Sequence, residues 1–170
     1  MSVGPFYGKY RGTVTSNTDP MQLARIQASV PDVLGTQTSS WAMPCLPVTG
    51  TSMGMLTVPP VGSGVWIEFE HGDPDYPIWV GGFWGSSSET PTLAGNVPPS
   101  IAAITLQTTQ KNGLVISDMS GPTGGITLQT TSGAKISISD SGIEISNGQG
   151  AAIKLTGSTV DVNSGALTVM

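Results

Sequence analysis

The chain has 170 residues, room for one ordinary domain or a small domain with an appendage, and it combines 23 Gly and 13 Pro with only 10% charged residues and a net charge of −5. Six Lys and Arg scattered from Lys9 to Lys154 form no basic face to displace counterions from phosphates, so a nucleic-acid partner is not expected. Cys45, the single cysteine, excludes an intrachain disulfide and a Cys-based zinc site. The opening Met1-Ser2-Val3-Gly4-Pro5-Phe6 has neither a basic region nor an apolar run, and no stretch approaches the ~20 apolar residues of a spanning helix. The expectation is a soluble protein without a cleavable signal, assembled in the cytoplasm.

In chain order, the first half reads as short strands broken by Gly/Pro turns. Tyr10 to Thr15 and Arg25 to Val30 flank a turn at Ser16-Asn17-Thr18-Asp19-Pro20. Leu23, Ile26 and Val30 also fit helical spacing, whereas Ala24, Ile26, Ala28 and Val30 fit alternation; Pro31 stops either. Val65 to Phe69 is rich in β-branched and aromatic residues, and after the turn His71-Gly72-Asp73-Pro74-Asp75 comes a strand at Ile78-Trp79-Val80. About 80 residues of this kind predict a small five-stranded barrel of the OB type. All ten aromatic residues lie before position 85, the last being Trp84, which marks a boundary. The predicted organisation is an OB domain over 1–85, a loose linker over 86–100 containing Pro98-Pro99, and a second domain over 101–170.

That second domain alternates with period two, the mark of strands with one packed face. The inward set is Ile104, Leu106, Ile116, Ile126, Leu128, Ile136, Ile138, Ile143, Ile145, Ile153, Leu155, Val160, Val162, Leu167 and Val169, separated by Thr, Ser, Asn, Gln and Gly. Ile-Thr-Leu-Gln-Thr-Thr occurs at 104–109 and again at 126–131, an offset not sustained further. A lone array of this kind has nothing to cover its apolar face and leaves open edges. Three chains around one axis solve both problems: each supplies a wall, the apolar residues meet along the axis, and the ladders run between chains. The predicted fold class is therefore all-β, an N-terminal OB-fold barrel followed by a C-terminal intertwined trimeric β-helix, a needle.

No catalytic, metal or cofactor site stands out. His71, Asp73 and Asp75 fit a polar turn better than a metal or acid–base cluster. Glu68 shares a strand face with Trp66, and Glu70 continues it, as a solvated face or a subunit contact. Trp66 and Trp79 lie inside strands and fill the barrel or a trimer seam; Trp41 and Trp84 lie nearer loops, free to touch neighbouring proteins. Met53 and Met55 serve equally well as adaptable contacts or as core. Cys45, between Pro44 and Pro47, has no base nearby to activate it. The main rival to a structural reading is an OB-fold module binding oligosaccharide or single-stranded nucleic acid, with a trimeric fibre tail.

Several runs resemble one family. Gly12 to Pro20, Leu23 to Gln27, Val30-Pro31, Ser40-Trp41-Ala42, Pro59-Pro60-Val61-Gly62-Ser63-Gly64-Val65-Trp66-Ile67-Glu68-Phe69-Glu70 and Gly72 to Gly81 resemble the OB domain of phage baseplate assembly protein V, the central spikes and the VgrG proteins. The Gly-punctuated Ile-x-Ile pairs of the tail look like the β-helical needle that follows that domain. The resemblance implies a homotrimer at the centre of the baseplate, in contact with inner-tube and hub proteins and touching the target membrane only on firing. Some phage spikes bind iron through histidines at the apex, but the one histidine here, His71, is far from the C-terminus. A blunt apolar end instead implies a PAAR-like tip protein docked on Leu167, Val169 and Met170.

Overall fold

The computed structural model describes residues 4–169. The chain divides into two compact units, residues 1–89 and 90–170.

In the first unit, β1 (Tyr10–Ser16), β2 (Gln27–Ser29), β3 (Met43–Pro44), β6 (Gly64–Phe69) and β7 (Pro77–Phe83) form one sheet in the order β2-β1-β6-β7-β3. The pairings are antiparallel except β3 with β7. Ile26 and Ala42 exchange backbone hydrogen bonds, which joins the chain just before β2 to the residue just before β3 and curls the sheet on itself as in an OB fold. Curvature has a visible cause in β7: Trp66 opposes Gly81 and Ile67 opposes Trp79, so Val80 is the extra residue of a bulge. A small hairpin, β4 (Thr49–Gly50) with β5 (Met53–Gly54), stands apart from this sheet.

Alternation decides the core. Along β6 the even positions Trp66 and Glu68 are half-buried, while Val65, Ile67 and Phe69 are buried. They meet Val14, Ile26, Ala28, Val30, Ala42 and Trp79 in one cluster. The alternating reading of 24–30 is thus the correct one. Pro31 ends that segment and opens α1 (Pro31–Leu34), a single turn with proline in its first position, where a missing N–H costs nothing.

The second unit is a strict meander of eight strands: β8 (Ala103–Gln107), β9 (Gly113–Ser117), β10 (Gly125–Gln129), β11 (Lys135–Ser139), β12 (Gly142–Ser146), β13 (Ala152–Thr156), β14 (Thr159–Val162) and β15 (Leu167–Val169). Each strand pairs antiparallel with its sequence neighbour. The ladders expected between chains run within the chain, because turns as short as Asp140-Ser141 return each strand directly beside its predecessor. Among the described residues, what remains unpaired is a side-chain face and the two outer edges of the sheet.

Tight returns need special backbone. Gly142 sits at φ 138°, and a Cβ there would overlap the Leu155 carbonyl oxygen of the adjacent strand. Gly142→Ala is expected to destabilise the meander by about 1–3 kcal/mol, read as a lower urea midpoint; an unchanged midpoint would show that the turn relaxes freely.

The 86–100 segment contains two 3₁₀ turns, Ser87–Glu89 and Thr92–Asn96. Leu93 and Val97 in its latter part are buried. The Leu93 N–H donates to Gln107 Oε1 of β8 at 2.9 Å, and the Leu93 side chain fills the space left by the missing Cβ of Gly113. This strap lies over the face of β8 and β9 that carries Val115, beside a cleft of about 420 Å³.

Candidate assembly face

Strand registers place the aliphatic residues of the second unit in two unbroken columns on one face. The first runs Ile104, Ile116, Ile126, Ile138, Ile143, Leu155, Val160, Val169. The second runs Leu106, Leu114, Leu128, Ile136, Ile145, Ile153, Val162, Leu167, two residues along each strand. Each level thus presents one aliphatic pair, stacked at about 4.8 Å per strand. Every residue expected to face inward lies in these columns, and Leu114 joins them.

Thirteen of the sixteen are exposed, with 37–59% of their surface open, whereas the OB core residues are at most 7% exposed. An uninterrupted aliphatic face of that length is far more than scattered surface apolar residues, and it marks an association surface. Leu167 and Val169 at its C-terminal end are 59% and 56% exposed; Met170 lies outside the described residues. The opposite face is polar except at Val115, beneath the strap. Its central column passes through Thr105, Val115, Thr127, Ser137, Glu144, Lys154 and Asp161, so Lys154 stands between two carboxylates. Lys135 Nζ also reaches Glu144 Oε2 at 3.2 Å.

In the first unit the residues singled out for chemistry do structural work. His71 lies in a 3₁₀ turn (Glu70–Gly72), and Asp73 Oδ1 accepts the Asp75 N–H. Among the described residues no group of three His, Cys, Asp or Glu is placed to hold a metal. Glu68 pairs with Lys9 on the barrel exterior. Trp66 packs against Phe83 with ring centroids 4.9 Å apart and planes tilted by 49°, and the Arg11 guanidinium lies over both rings. Trp79 is buried and its Nε1–H donates to the Ala24 carbonyl at 3.0 Å. Trp41 is half-buried under Arg25, and Trp84 is exposed. Met53 and Met55 are exposed, as is Cys45.

Asp19, read from sequence only as part of a turn, is the hub of its loop. Its carboxylate accepts the N–H groups of Met21, Leu23 and Arg25 and is chelated by the Arg25 guanidinium, with Nη2 at 2.6 Å. Those bonds hold Gln22 and Ala24 at φ 55° and 61°, and so aim the Ala24 carbonyl at Trp79. The Asp19 side chain is only 4% exposed. The hydrogen bond from Arg25 holds the carboxyl far below the usual carboxylate range; burial opposes this, and the backbone N–H groups reinforce it. A depressed pKa stabilises the fold fully above the unfolded-state value near 3.9, and that contribution fades as pH falls toward the folded-state value. Asp19→Asn is therefore expected to lower the melting temperature near neutral pH, with the gap to wild type closing below about pH 4. A gap constant from pH 7 to pH 2 in thermal melts would contradict this.

Residues 10–84 match the type VI secretion system/phage-baseplate injector OB domain. Residues 103–168 match the phage baseplate V C-terminal trimerisation domain. No curated protein matches the chain. No helix among the described residues is long and apolar enough to cross a membrane. The matched families are structural baseplate components, and the second match falls on the sheet whose aliphatic face is open. The chain belongs to the phage baseplate V family, as a homotrimeric, spike-like structural component of a phage or type VI secretion baseplate.

Proposed function

We propose that three copies of this chain form the central spike of a contractile injection machine, with the OB units seated beneath the inner tube and the C-terminal sheets forming a needle that leads the tube through the target envelope. The observation that carries this reading is the pair of aliphatic columns, open over eight successive strands in the domain matched to trimerisation. Three such faces turned toward one axis bury all sixteen residues, which makes them the needle core. The interior is then narrow, in keeping with Ile, Leu and Val at every level and no aromatic after Trp84. The protein acts through rigidity and symmetry, and no chemical step is required. A laddered trimer of this kind unfolds slowly, as a part that must survive one violent stroke requires.

Among the described residues β15 pairs only with β14, and its outer edge with the exposed Leu167 and Val169 supports docking of a PAAR-like tip protein. Cryo-electron microscopy of the purified particle tests both ideas. Three copies at the distal end of the inner tube, with a cone of density beyond the last strand, are the expected result. Density for the chain on outer wedges or fibres would overturn the spike, and a tip that ends at Met170 would overturn the docked partner.

A further inference from the structure

A closed ring of three is built from head-to-tail contacts, so the two sides that each copy offers its neighbours must differ and complement one another. In a three-walled needle whose strands lie across the axis, those sides are the two ends of the strands. One end carries the turns 108–112, 130–134, 147–151 and 163–166; the other carries 118–124, 140–141 and 157–158. The charged residues at these ends are sorted by sign. Lys111 leads into β9 and Asp118 leads out of it; Lys135 opens β11 and Asp140 follows it. At two levels, separated by two strand spacings or about 10 Å, each copy thus offers a cation on one side and a carboxylate on the other. The other charged residues of the unit, Glu144, Lys154 and Asp161, lie in the central column of the polar face.

We infer that Lys111 pairs with the partner subunit's Asp118, and Lys135 with the partner subunit's Asp140, and that these pairs set the axial register of the needle. This rests on the trimer reading above. The aliphatic columns cannot set the register alone, because successive levels are nearly interchangeable: one chain sliding past another by two strands re-pairs Ile and Leu with Ile and Leu. The charges discriminate. With the copies at equal height both pairs form, as closed three-fold symmetry demands, whereas a two-strand slip keeps at most one. The two pairs differ in availability. Lys135 already holds Glu144, and Asp140 Oδ2 accepts the Gly121 N–H. Among the described residues neither the Lys111 ammonium nor the Asp118 carboxylate has a partner within its chain. The Lys111–Asp118 pair is therefore the one to probe.

Zero-length carbodiimide coupling of the full chain, read by peptide mass spectrometry with light scattering on the same sample, tests it. Lys111 and Asp118 flank the five-residue β9, about 17 Å long, so an isopeptide link between them forms only between copies. Lys135–Glu144 supplies an intrachain positive control. The expected result is a Lys111–Asp118 link in a trimer, lost in Lys111→Glu and regained, with the roles exchanged, in Lys111→Glu/Asp118→Lys. A trimer in which Lys111 links elsewhere or not at all, while the control link forms, overturns the edge pairing and leaves the trimer standing. A monomeric mass overturns the trimer reading and this pairing with it.

Discussion

Replacing Ile143 with Asp is expected to turn the trimer into a monomer. Ile143 sits midway along its column, opposite Ile138 on one side and Leu155 on the other. In a single chain it is 38% exposed, so the monomer's sheet tolerates a carboxylate there. With three faces turned to one axis, the same change places three carboxylates at one level among aliphatic side chains, each costing several kcal/mol when buried without a partner. Light scattering of the wild-type chain should give about three times 17.4 kDa, and the variant about one. Thr127→Asp, on the polar face, should leave the trimer intact. A trimeric Ile143→Asp, or equal disruption by both variants, would show that the aliphatic face is not the contact.

The second large effect belongs to the OB unit. Trp79→Ala is expected to destabilise it by about 3–5 kcal/mol, because a buried ring is lost from the centre of the core cluster. At roughly 4–8 °C per kcal/mol for a domain of this size, its melting temperature should fall by about 12 °C or more. Trp79→Phe separates packing from hydrogen bonding. It keeps most of the apolar volume but strands the Ala24 carbonyl, at a cost of about 1–3 kcal/mol. Equal losses in the two variants would place the effect in the hydrogen bond to the Asp19–Arg25 loop and not in the core.

Much of this was legible because alternation is a local property. Val65 to Phe69 and the Ile-x-Ile pairs show which residues share a face from spacing alone, and the registers then stack them. Legibility failed where a residue serves two masters. Leu114-Val115-Ile116 is apolar at three successive positions, which hides the alternation, and only the strap explains it. Leu93 and Val97 lie on the Val115 face, so β9 is packed on that side while Leu114 and Ile116 belong to the columns. The same strap made 86–100 read as a loose linker, since Pro and Gly give no hint that two aliphatic residues among them are buried. Asp19 was hidden differently. A turn-forming Asp before Pro20 looks the same in sequence whether its carboxylate faces water or gathers three N–H groups and a guanidinium. The direction of the ladders was a question of topology, which composition does not address; turn length, two residues at Asp140-Ser141, was the available signal.

Nearest-neighbour pairing from β8 to β15 also makes the length of the C-terminal unit adjustable in fixed steps. Loss of one strand would reverse the chain direction and send every later turn to the wrong end. Loss or gain of two restores direction, face and end together. The repeated Ile-Thr-Leu-Gln-Thr-Thr fills most of β8 and β10 and the start of the turn after each, two strands and 22 residues apart, and so spans one such step. Duplicating or deleting one hairpin changes the extent of the sheet by about 10 Å and leaves the pairing chemistry of the remaining levels as it was. The length of this unit can therefore change in two-strand steps without altering which face the remaining strands present.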